Sequence, residues 1–169
     1  MTHKMRAISK DGTTAMRLAL YQPDIPQNAG ALIRLGACLG VGIDIIEPCG
    51  FLFSDRGFRR AGMDYLSHAE YRRHPSWAAF CEKLCIEGGR IVLLSRSGAM
   101  AYTDFAFAPG DIILLGRESA GVPREARDAA HAVLRIPLKP GLRSLNVAQA
   151  GAMVLGEALR QMGRFPVDL

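Results

Sequence analysis

Short apolar runs alternate along the chain with longer segments of helical periodicity. Runs of this length, bounded by glycine, proline or polar residues, are typical of strands buried on both faces of a parallel sheet. They predict strands at Arg17–Gln22, Gly42–Glu47, Arg90–Ser95, Asp111–Leu115 and Val133–Ile136. The intervening segments predict helices at Gln27–Leu39, Pro75–Glu87, Pro123–Ala130 and Leu145–Met162. This alternation predicts an α/β three-layer sandwich with a mostly parallel sheet, and by itself it favours an unknotted, doubly wound order.

The two ends of the sequence differ in character. Residues 1–15 are polar, mixed in charge and without periodicity, which predicts a disordered N-terminal tail. Met16, just before the first apolar run, is an alternative natural start. The remaining residues, 16–169, are long enough to bury one core and contain no linker or repeat, so we expect a single domain.

The first segment that carries candidate chemistry follows the first predicted strand and reads Tyr21-Gln-Pro-Asp-Ile-Pro-Gln-Asn-Ala-Gly-Ala-Leu-Ile-Arg34. Two prolines end the strand, and Asn28 is then placed to cap the next helix. Arg34 lies six residues further on, so the two side chains do not stack on one helix face. We expect Asn28 to hold the loop and Arg34 to project from the helix; an ordinary cap and an exposed arginine are the alternative.

A second segment, Gly110–Pro123, runs from a buried strand into a turn with Gly116, Glu118 and Gly121. The two glycines have the spacing of a phosphate-binding loop, but Val122-Pro123 replaces the lysine and hydroxyl residue that such a loop requires. This excludes a P-loop nucleotide triphosphatase. No glycine-rich dinucleotide fingerprint follows any predicted strand, which argues against a Rossmann site.

The third segment reads Ile136-Pro-Leu-Lys-Pro-Gly-Leu-Arg-Ser-Leu-Asn146 and leads into the last helix. Ser144 and Asn146 are both good N-cap residues, so either side chain is a candidate for that role. The helix itself is rich in small residues, which permit a close contact either within the chain or with another subunit. These residues are Ala148, Ala150, Gly151, Ala152 and Gly156.

Taken together and in this order, the three segments resemble the SPOUT superfamily of RNA methyltransferases, in its 2′-O-ribose branch. The matching positions are Asn28 and Arg34, then Gly116, Glu118 and Gly121, then Ser144 and Asn146. The resemblance runs from about Arg17 to Met162. The shortness of the chain and the segments Ile45–Phe51 and Arg59–Tyr65 are similar to the TrmL subgroup, whose members methylate the wobble ribose of leucine tRNAs. One departure is Arg117, where many relatives have proline.

The resemblance implies a C-terminal trefoil knot around the second and third segments, with S-adenosylmethionine bound there by three loops. The cofactor-binding residues it implies are Leu94, Gly116, Ile136, Leu138, Ser144 and Leu145. The catalytic residues it implies are Arg34, Asn28, Glu118 and Asn146. It also implies a homodimer in which first-segment residues complete the partner's site. The expected function is S-adenosylmethionine-dependent 2′-O-methylation of the wobble nucleotide, a cytidine or modified uridine, in leucine tRNA anticodon loops.

Charge is distributed unevenly along the chain. The formal net charge is +5, and residues 1–17 hold four basic side chains against one acidic one, a net +3. An RNA surface on the folded part must therefore come from local clusters, for which a solvated loop is an equal alternative. The clusters are Arg56, Arg59 and Arg60, and Arg72, Arg73 and His74. We assign RNA binding to Arg59, Arg60 and Arg143.

Composition limits the remaining possibilities. Four cysteines without an export signal favour core thiols over disulfides, and the spacing of Cys81 and Cys85 from the upstream histidines matches no zinc motif. We expect no metal, no membrane span and a cytoplasmic location. Two alternatives stay open: a module that binds RNA without chemistry, and a methyltransferase for another tRNA or ribosomal RNA position.

Overall fold

The computed structural model describes residues 15–52 and 65–167. Within them the strands are β1 (Arg17–Tyr21), β2 (Gly42–Ile46), β3 (Tyr71–His74), β4 (Arg90–Leu94), β5 (Met100–Ala101), β6 (Asp111–Leu115) and β7 (Ala132–Arg135). The α-helices are α1 (Pro26–Leu39), α2 (Trp77–Glu87), α3 (Arg124–Asp128) and α4 (Val147–Met162). A short 3-10 turn, Tyr102–Asp104, follows β5. The N-terminal tail predicted for residues 1–15 lies almost wholly outside the described residues.

The seven strands form one sheet in the order β3-β2-β1-β6-β4-β7-β5, and every neighbouring pair is parallel. Successive side chains of a strand point to opposite faces, and β1 shows this clearly. Leu18 and Leu20 pack in a cluster with α1 and α4, whereas Ala19 and Tyr21 pack in a second cluster with α2 and α3. The predicted parallel α/β sandwich is confirmed, with helices on both faces of the sheet.

Two strands were not predicted, β3 and β5. The sequence of β3, Tyr-Arg-Arg-His, is polar because the strand lies at the sheet edge and its arginines form ion pairs. Arg72 Nη1 lies 2.7 Å from Glu87 Oε2, and Arg73 Nε donates to Glu47 Oε1 at 2.5 Å. This basic cluster therefore stabilises the fold through acidic partners. Strand β5 has only two residues, too few for a periodic signal.

Helix starts depart from the prediction at both ends of the chain. Ile25 is the N-cap of α1 and its side chain makes no cap hydrogen bond, so the prediction that Asn28 caps this helix is wrong. Pro26 occupies the first helical position, where its missing N–H costs nothing, and Asn28 lies inside the first turn. Helix α4 begins at Val147, two residues later than predicted, because Asn146 Oδ1 accepts from the backbone N–H groups of Ala148 and Gln149 at 2.8 and 3.3 Å. Asn146, not Ser144, is the cap.

A buried charged network joins β1, β2 and β3. Arg17 Nε donates to Asp44 Oδ2 at 2.6 Å, and His74 Nε2 lies 2.8 Å from Asp44 Oδ1. Arg17 also donates to Glu70 Oε1 at 2.7 Å. A Cβ at Gly42 would fall 2.1 Å from Arg17 Nη1, so the guanidinium fills the space beside this glycine. Burial raises the pKa of Asp44, but the hydrogen bond from His74 and the charge and hydrogen bond of Arg17 outweigh it, and its pKa lies below the usual range.

The core-thiol prediction is confirmed for two cysteines and wrong for the other two. Cys49 and Cys81 are partly buried and pack against the two core clusters, whereas Cys38 and Cys85 are exposed. None of the four forms a disulfide. Among the described residues no group of three or more His, Cys, Asp or Glu side chains is arranged to hold a metal ion. None of the described helices is long and apolar enough to cross a bilayer.

Candidate active site

A cavity of about 960 Å³ lies at the carboxyl ends of the central strands of the sheet. Its walls come from the ends of β4 and β6, the turn after β6 and the loop before α4. Loops at the carboxyl ends of parallel strands are the usual place for ligands in open α/β sheets. All six residues predicted to bind the cofactor line this cavity: Leu94, Gly116, Ile136, Leu138, Ser144 and Leu145.

One chain of hydrogen bonds joins the three predicted segments. Asn28 Nδ2 donates to Glu118 Oε1 at 3.1 Å, and Asn146 Nδ2 donates to Asn28 Oδ1 at 2.9 Å. Asn28 is 8% exposed, so its amide is almost fully removed from water. Because Asn146 also caps α4 and Glu118 lies in the β6 turn, Asn28 fixes the position of both relative to α1.

The turn after β1 is tied to the turn after β6 by a second set of bonds. Glu118 Oε2 accepts from the backbone N–H of Asp24 at 2.8 Å. In return, Asp24 Oδ2 accepts from the backbone N–H and the hydroxyl of Ser119, at 3.0 and 2.5 Å. These bonds from Ser119 hold the pKa of Asp24 below its usual range. The two turns therefore form one rigid wall of the cavity.

The hydrogen bonds of the buried Asn28 amide should contribute to the stability of the protein, and this can be tested by mutation. Asn28→Ala removes the partner of both Glu118 and Asn146, and we expect it to lower the free energy of unfolding by about 1–3 kcal/mol. Urea unfolding checks this, with Gln27→Ala as the control, because Gln27 is an exposed amide on the same helix. The control is expected to change stability by less than about 0.5 kcal/mol. Equal effects of the two variants would contradict the role of the Asn28 bonds.

The β6 turn is closed by close backbone contact between its glycines. Arg117 N–H donates to Gly121 O at 3.0 Å, and Gly121 N–H donates to Arg117 O at 2.8 Å. Gly121 has a φ of +65°, and a Cβ at Gly116 would lie 2.7 Å from the Cα of Gly121. A side chain at Gly116 therefore requires the turn to open.

We predict that Gly116→Ala distorts the cavity wall at this point. Backbone cannot move aside as a flexible side chain can, and overpacking of this kind costs about 1–3 kcal/mol. That cost corresponds to a loss of about 5-fold to 150-fold in affinity for any ligand held by the wall. Calorimetric titration with S-adenosylmethionine measures the change. Ile86→Ala is the control, because Ile86 is 78% exposed and lies outside the cavity. Unchanged affinity in Gly116→Ala would refute a role for this wall in ligand binding.

Arg34 lies away from the cavity of its own chain. It is exposed on α1, as predicted, and its guanidinium carbon is 4.5 Å from the centroid of the Tyr65 ring. It is not among the residues that line the cavity, whereas Asn28, Glu118 and Asn146 are. The structure thus brings three of the four predicted catalytic residues together and leaves the fourth on the surface.

The predicted RNA-binding residues have different outcomes. Arg59 and Arg60, like Arg56, lie outside the described residues. Arg143 is exposed and lies at the cavity. Three further arginines line the cavity but were not assigned to the site from the sequence: Arg96, Arg117 and Arg127. Their positions after β4, after β6 and in α3 are the only sequence signal that could have indicated them.

Comparison with known proteins decides the family. The model of the SpoU rRNA Methylase family matches residues 15–156, most of the chain. The chain belongs to the SpoU rRNA methylase family. The SpoU match spans β1, the cavity walls and the first part of α4, and it includes every predicted site residue described above.

Within the SpoU family, the chain is similar to proteins named for methylation of tRNA at nucleotide 34. A tRNA (cytidine(34)-2′-O)-methyltransferase from Ancylobacter novellus is 59% identical over 150 residues, which cover 89% of this chain and 95% of that protein. A solved structure concerned with the 2-OH methylation of C/U34 on tRNA superposes with a TM-score of 0.83 at 41% identity, covering 89% of this chain and 97% of that one.

A more distant structural neighbour contains the methyl donor. The AdoMet-bound rRNA methyltransferase from Sinorhizobium meliloti has a TM-score of 0.80 and 28% identity. The match covers 89% of this chain but 57% of the Sinorhizobium protein, which is longer. Most of this SpoU chain therefore superposes on part of a donor-bound relative.

Proposed function

We propose that this protein transfers the methyl group of S-adenosylmethionine to the 2′-hydroxyl of nucleotide 34 in tRNA. The observation that carries the proposal is the Glu118–Asn28–Asn146 hydrogen-bond chain, which joins the three family segments at one cavity. Relatives named for methylation of cytidine 34 at 59% and 61% identity support the choice of tRNA and of position.

The cavity suits S-adenosylmethionine in size and chemistry. At about 960 Å³ it is within the range for small-molecule sites, and leucine and isoleucine side chains line one part of it. Leu94, Ile136 and Leu138 would hold the adenine, and Gly116 would let backbone groups approach the ligand without a Cβ in between. Ser144 and Leu145 would close the site from the loop before α4. When bound, the donor supplies a methyl group already activated by its sulfonium.

Catalysis then depends on how the protein positions the ribose hydroxyl. Positioning is the main contribution an enzyme makes when the reacting group is already activated. None of the described residues lining the cavity is a histidine, so a histidine base is not available there. Arg34, a permanent cation, binds an RNA phosphate and favours loss of the hydroxyl proton by its charge. Asn28, Glu118 and Asn146 fix the loops that hold the ribose.

The exposed position of Arg34 supports a homodimer in which Arg34 of one subunit serves the cavity of the other. The outer face of α4 offers a surface for this contact: Gly151 is packed against Leu32 and Leu115 inside the chain, whereas Gly156 is open and Met153 is 43% exposed. Sedimentation tests the dimer. Mixing inactive Arg34→Ala with inactive Asn146→Ala should restore methyl transfer if the site is shared; an inactive mixture of exchanging subunits would refute it.

We also propose which tRNAs are methylated, where the protein is located and how the chain is knotted. Leucine tRNAs are proposed as the substrates by resemblance to the subgroup described above. The cytoplasm is proposed as the location from the sequence features given above. The single domain comprises residues 16–169 and contains the trefoil knot around the β6 turn and the loop before α4. The insertion of β6 between β1 and β4, with β7 on the far side of β4, supports this path. A crystal structure traced through residues 110–162 tests the knot.

The deciding experiment for the function is chemical. Purified protein, S-adenosylmethionine and a leucine tRNA transcript should give one new 2′-O-methyl group at nucleotide 34, detected by mass spectrometry of nuclease fragments. A transcript with a 2′-deoxyribose at that position is the control and should accept no methyl group. Methylation elsewhere would redirect the proposal to another tRNA or ribosomal RNA site. Donor binding without methylation of any RNA would overturn it.

A further inference from the structure

The charged residues around the cavity are mostly of one sign. Among the described residues that line it, four are arginines, namely Arg96, Arg117, Arg127 and Arg143, and the one carboxylate is Glu118. We call these four residues the cavity arginines. They come from four different parts of the chain: the loop after β4, the turn after β6, helix α3 and the loop before α4.

The charges of the cavity arginines are not cancelled by carboxylates. In the described part of the chain, Arg17, Arg72 and Arg90 each form an ion pair with an acidic side chain within 4 Å, whereas none of the cavity arginines does. The carboxylate of Glu118 is itself engaged by Asn28 and by the N–H of Asp24. Asp24, in the turn that forms the same wall, places a second carboxylate near Arg117. Four guanidiniums against these two carboxylates still give the cavity an excess of positive charge.

Neutral groups hold two of these guanidiniums in place. Arg127 Nη1 donates to Ser97 Oγ at 2.9 Å, and its Nη2 donates to Ser97 O at 3.2 Å. Arg96 Nη1 donates to the backbone oxygen of Arg143 at 3.4 Å. Arg117 lies with its guanidinium carbon 5.7 Å from the Tyr21 ring centroid, and its buried Nε has no hydrogen-bond partner within the described residues. These contacts position the charges without neutralising them.

This charge is the wrong sign for the methyl donor. S-adenosylmethionine carries a sulfonium and an ammonium against one carboxylate, so it is a net cation, and an arginine-rich site repels it. RNA is a polyanion, and the planar fork of arginine matches phosphate geometry. We propose that the cavity arginines bind backbone phosphates of the tRNA rather than the donor, and that bound tRNA raises donor affinity by neutralising them. This inference rests on the proposed function and adds residues and a coupling to it.

The coupling between tRNA binding and donor binding must be equal in both directions. If tRNA tightens donor binding by some factor, the donor must tighten tRNA binding by the same factor. The product, S-adenosylhomocysteine, has lost the sulfonium charge and is neutral overall. It is therefore repelled less than the donor, and free protein should bind it more tightly than it binds S-adenosylmethionine.

The test separates the two ligands. Arg96→Gln/Arg143→Gln removes two exposed cavity arginines, and Lys83→Gln/Arg124→Gln removes two positive charges outside the cavity as the matched control. Calorimetry measures the donor, and filter binding over a range of salt measures a leucine tRNA transcript. We expect the cavity variant to bind tRNA about tenfold more weakly for each arginine–phosphate interaction removed, with a shallower salt dependence. Its donor affinity should be unchanged or higher.

The opposite results would overturn the inference. Weaker donor binding in the cavity variant would mean that these arginines hold the donor carboxylate. Equal loss of tRNA affinity in the control would mean that the effect depends on the net charge of the protein and not on the position of these arginines. Arg127→Gln provides a third variant, with its melting temperature checked because Arg127 also anchors Ser97. Failure of the proposed function would be seen separately, as absence of methyl transfer in the unmodified protein.

The coupling is measured on the unmodified protein with sinefungin, a cationic donor analogue that has no methyl group to transfer. We expect its affinity to rise about fivefold or more when saturating tRNA is present. Equal affinity with and without tRNA would refute the coupling and leave the phosphate contacts to be judged by the variants alone.

Discussion

Arg34→Ala is expected to retain binding of S-adenosylmethionine and to lose methyl transfer. The side chain is exposed on α1 and lies outside the cavity of its own chain, so its removal leaves the walls built by that chain unchanged. Its proposed role is to bind an RNA phosphate and favour deprotonation of the ribose hydroxyl. Loss of one such electrostatic group lowers turnover by about 10²–10³-fold. Calorimetry for the donor and a labelled-methyl assay for transfer measure the two effects on one preparation.

Two further variants sharpen the Arg34 result. Arg34→Lys keeps the charge but not the planar fork, and we expect it to recover only part of the activity. Arg124→Ala is the matched control, because Arg124 is also an exposed helical arginine outside the cavity, with 92% of its side chain accessible. If Arg34→Ala weakened donor binding as much as it slowed transfer, the assignment of Arg34 to the RNA side of the reaction would be wrong.

Asp44→Ala is expected to give the largest loss of stability of any single change considered. It removes the carboxylate that Arg17 and His74 share. The buried guanidinium then keeps only Glu70 as an acidic partner among the described residues, besides the backbone oxygen of Ile43. Breaking a buried ion pair in this way costs about 3–5 kcal/mol. Urea unfolding at neutral pH measures it. Asp128→Ala is the control, since the Asp128–Arg124 pair is exposed and is worth less than about 1 kcal/mol.

The pH dependence of stability gives an independent check on Asp44. Its folded pKa lies below the usual value, so its contribution is complete above the unfolded pKa, about 3.9, and is lost as pH falls through the folded pKa. At pH 5 the difference in the free energy of unfolding between the native protein and Asp44→Ala should include the full contribution of the Asp44 carboxylate. It should shrink below about pH 4. A difference that did not shrink below this pH would contradict the ionised carboxylate.

The central sheet was predictable because its strands are apolar and short. β1, β2, β4, β6 and β7 were each predicted to within one residue at either end. β3 was missed since its arginines are stabilised by Glu47 and Glu87, partners distant in the chain that no local pattern reveals. A helical or strand period reports burial of apolar side chains; it does not report ion pairs at an edge.

Most residues of the candidate site could be predicted from the sequence, but the contacts between them could not. The residues came from a resemblance to a family, and the spacing of Asn28 suggested only a helix cap. Its actual bonds reach Glu118 and Asn146, 90 and 118 residues away. The cavity arginines Arg96 and Arg127 were missed because an isolated arginine in a loop or short helix has no local signature. Their common location appears only when the strand ends are brought together.

The two edge strands of the sheet affect how copies of this protein can associate. One border is β3, whose arginines are paired with acids, and the other is β5, which offers two residues. Short or charged borders resist the addition of a foreign strand and so protect against fibrous polymerisation. At high concentration, self-association is thus directed away from the sheet and towards the helical faces.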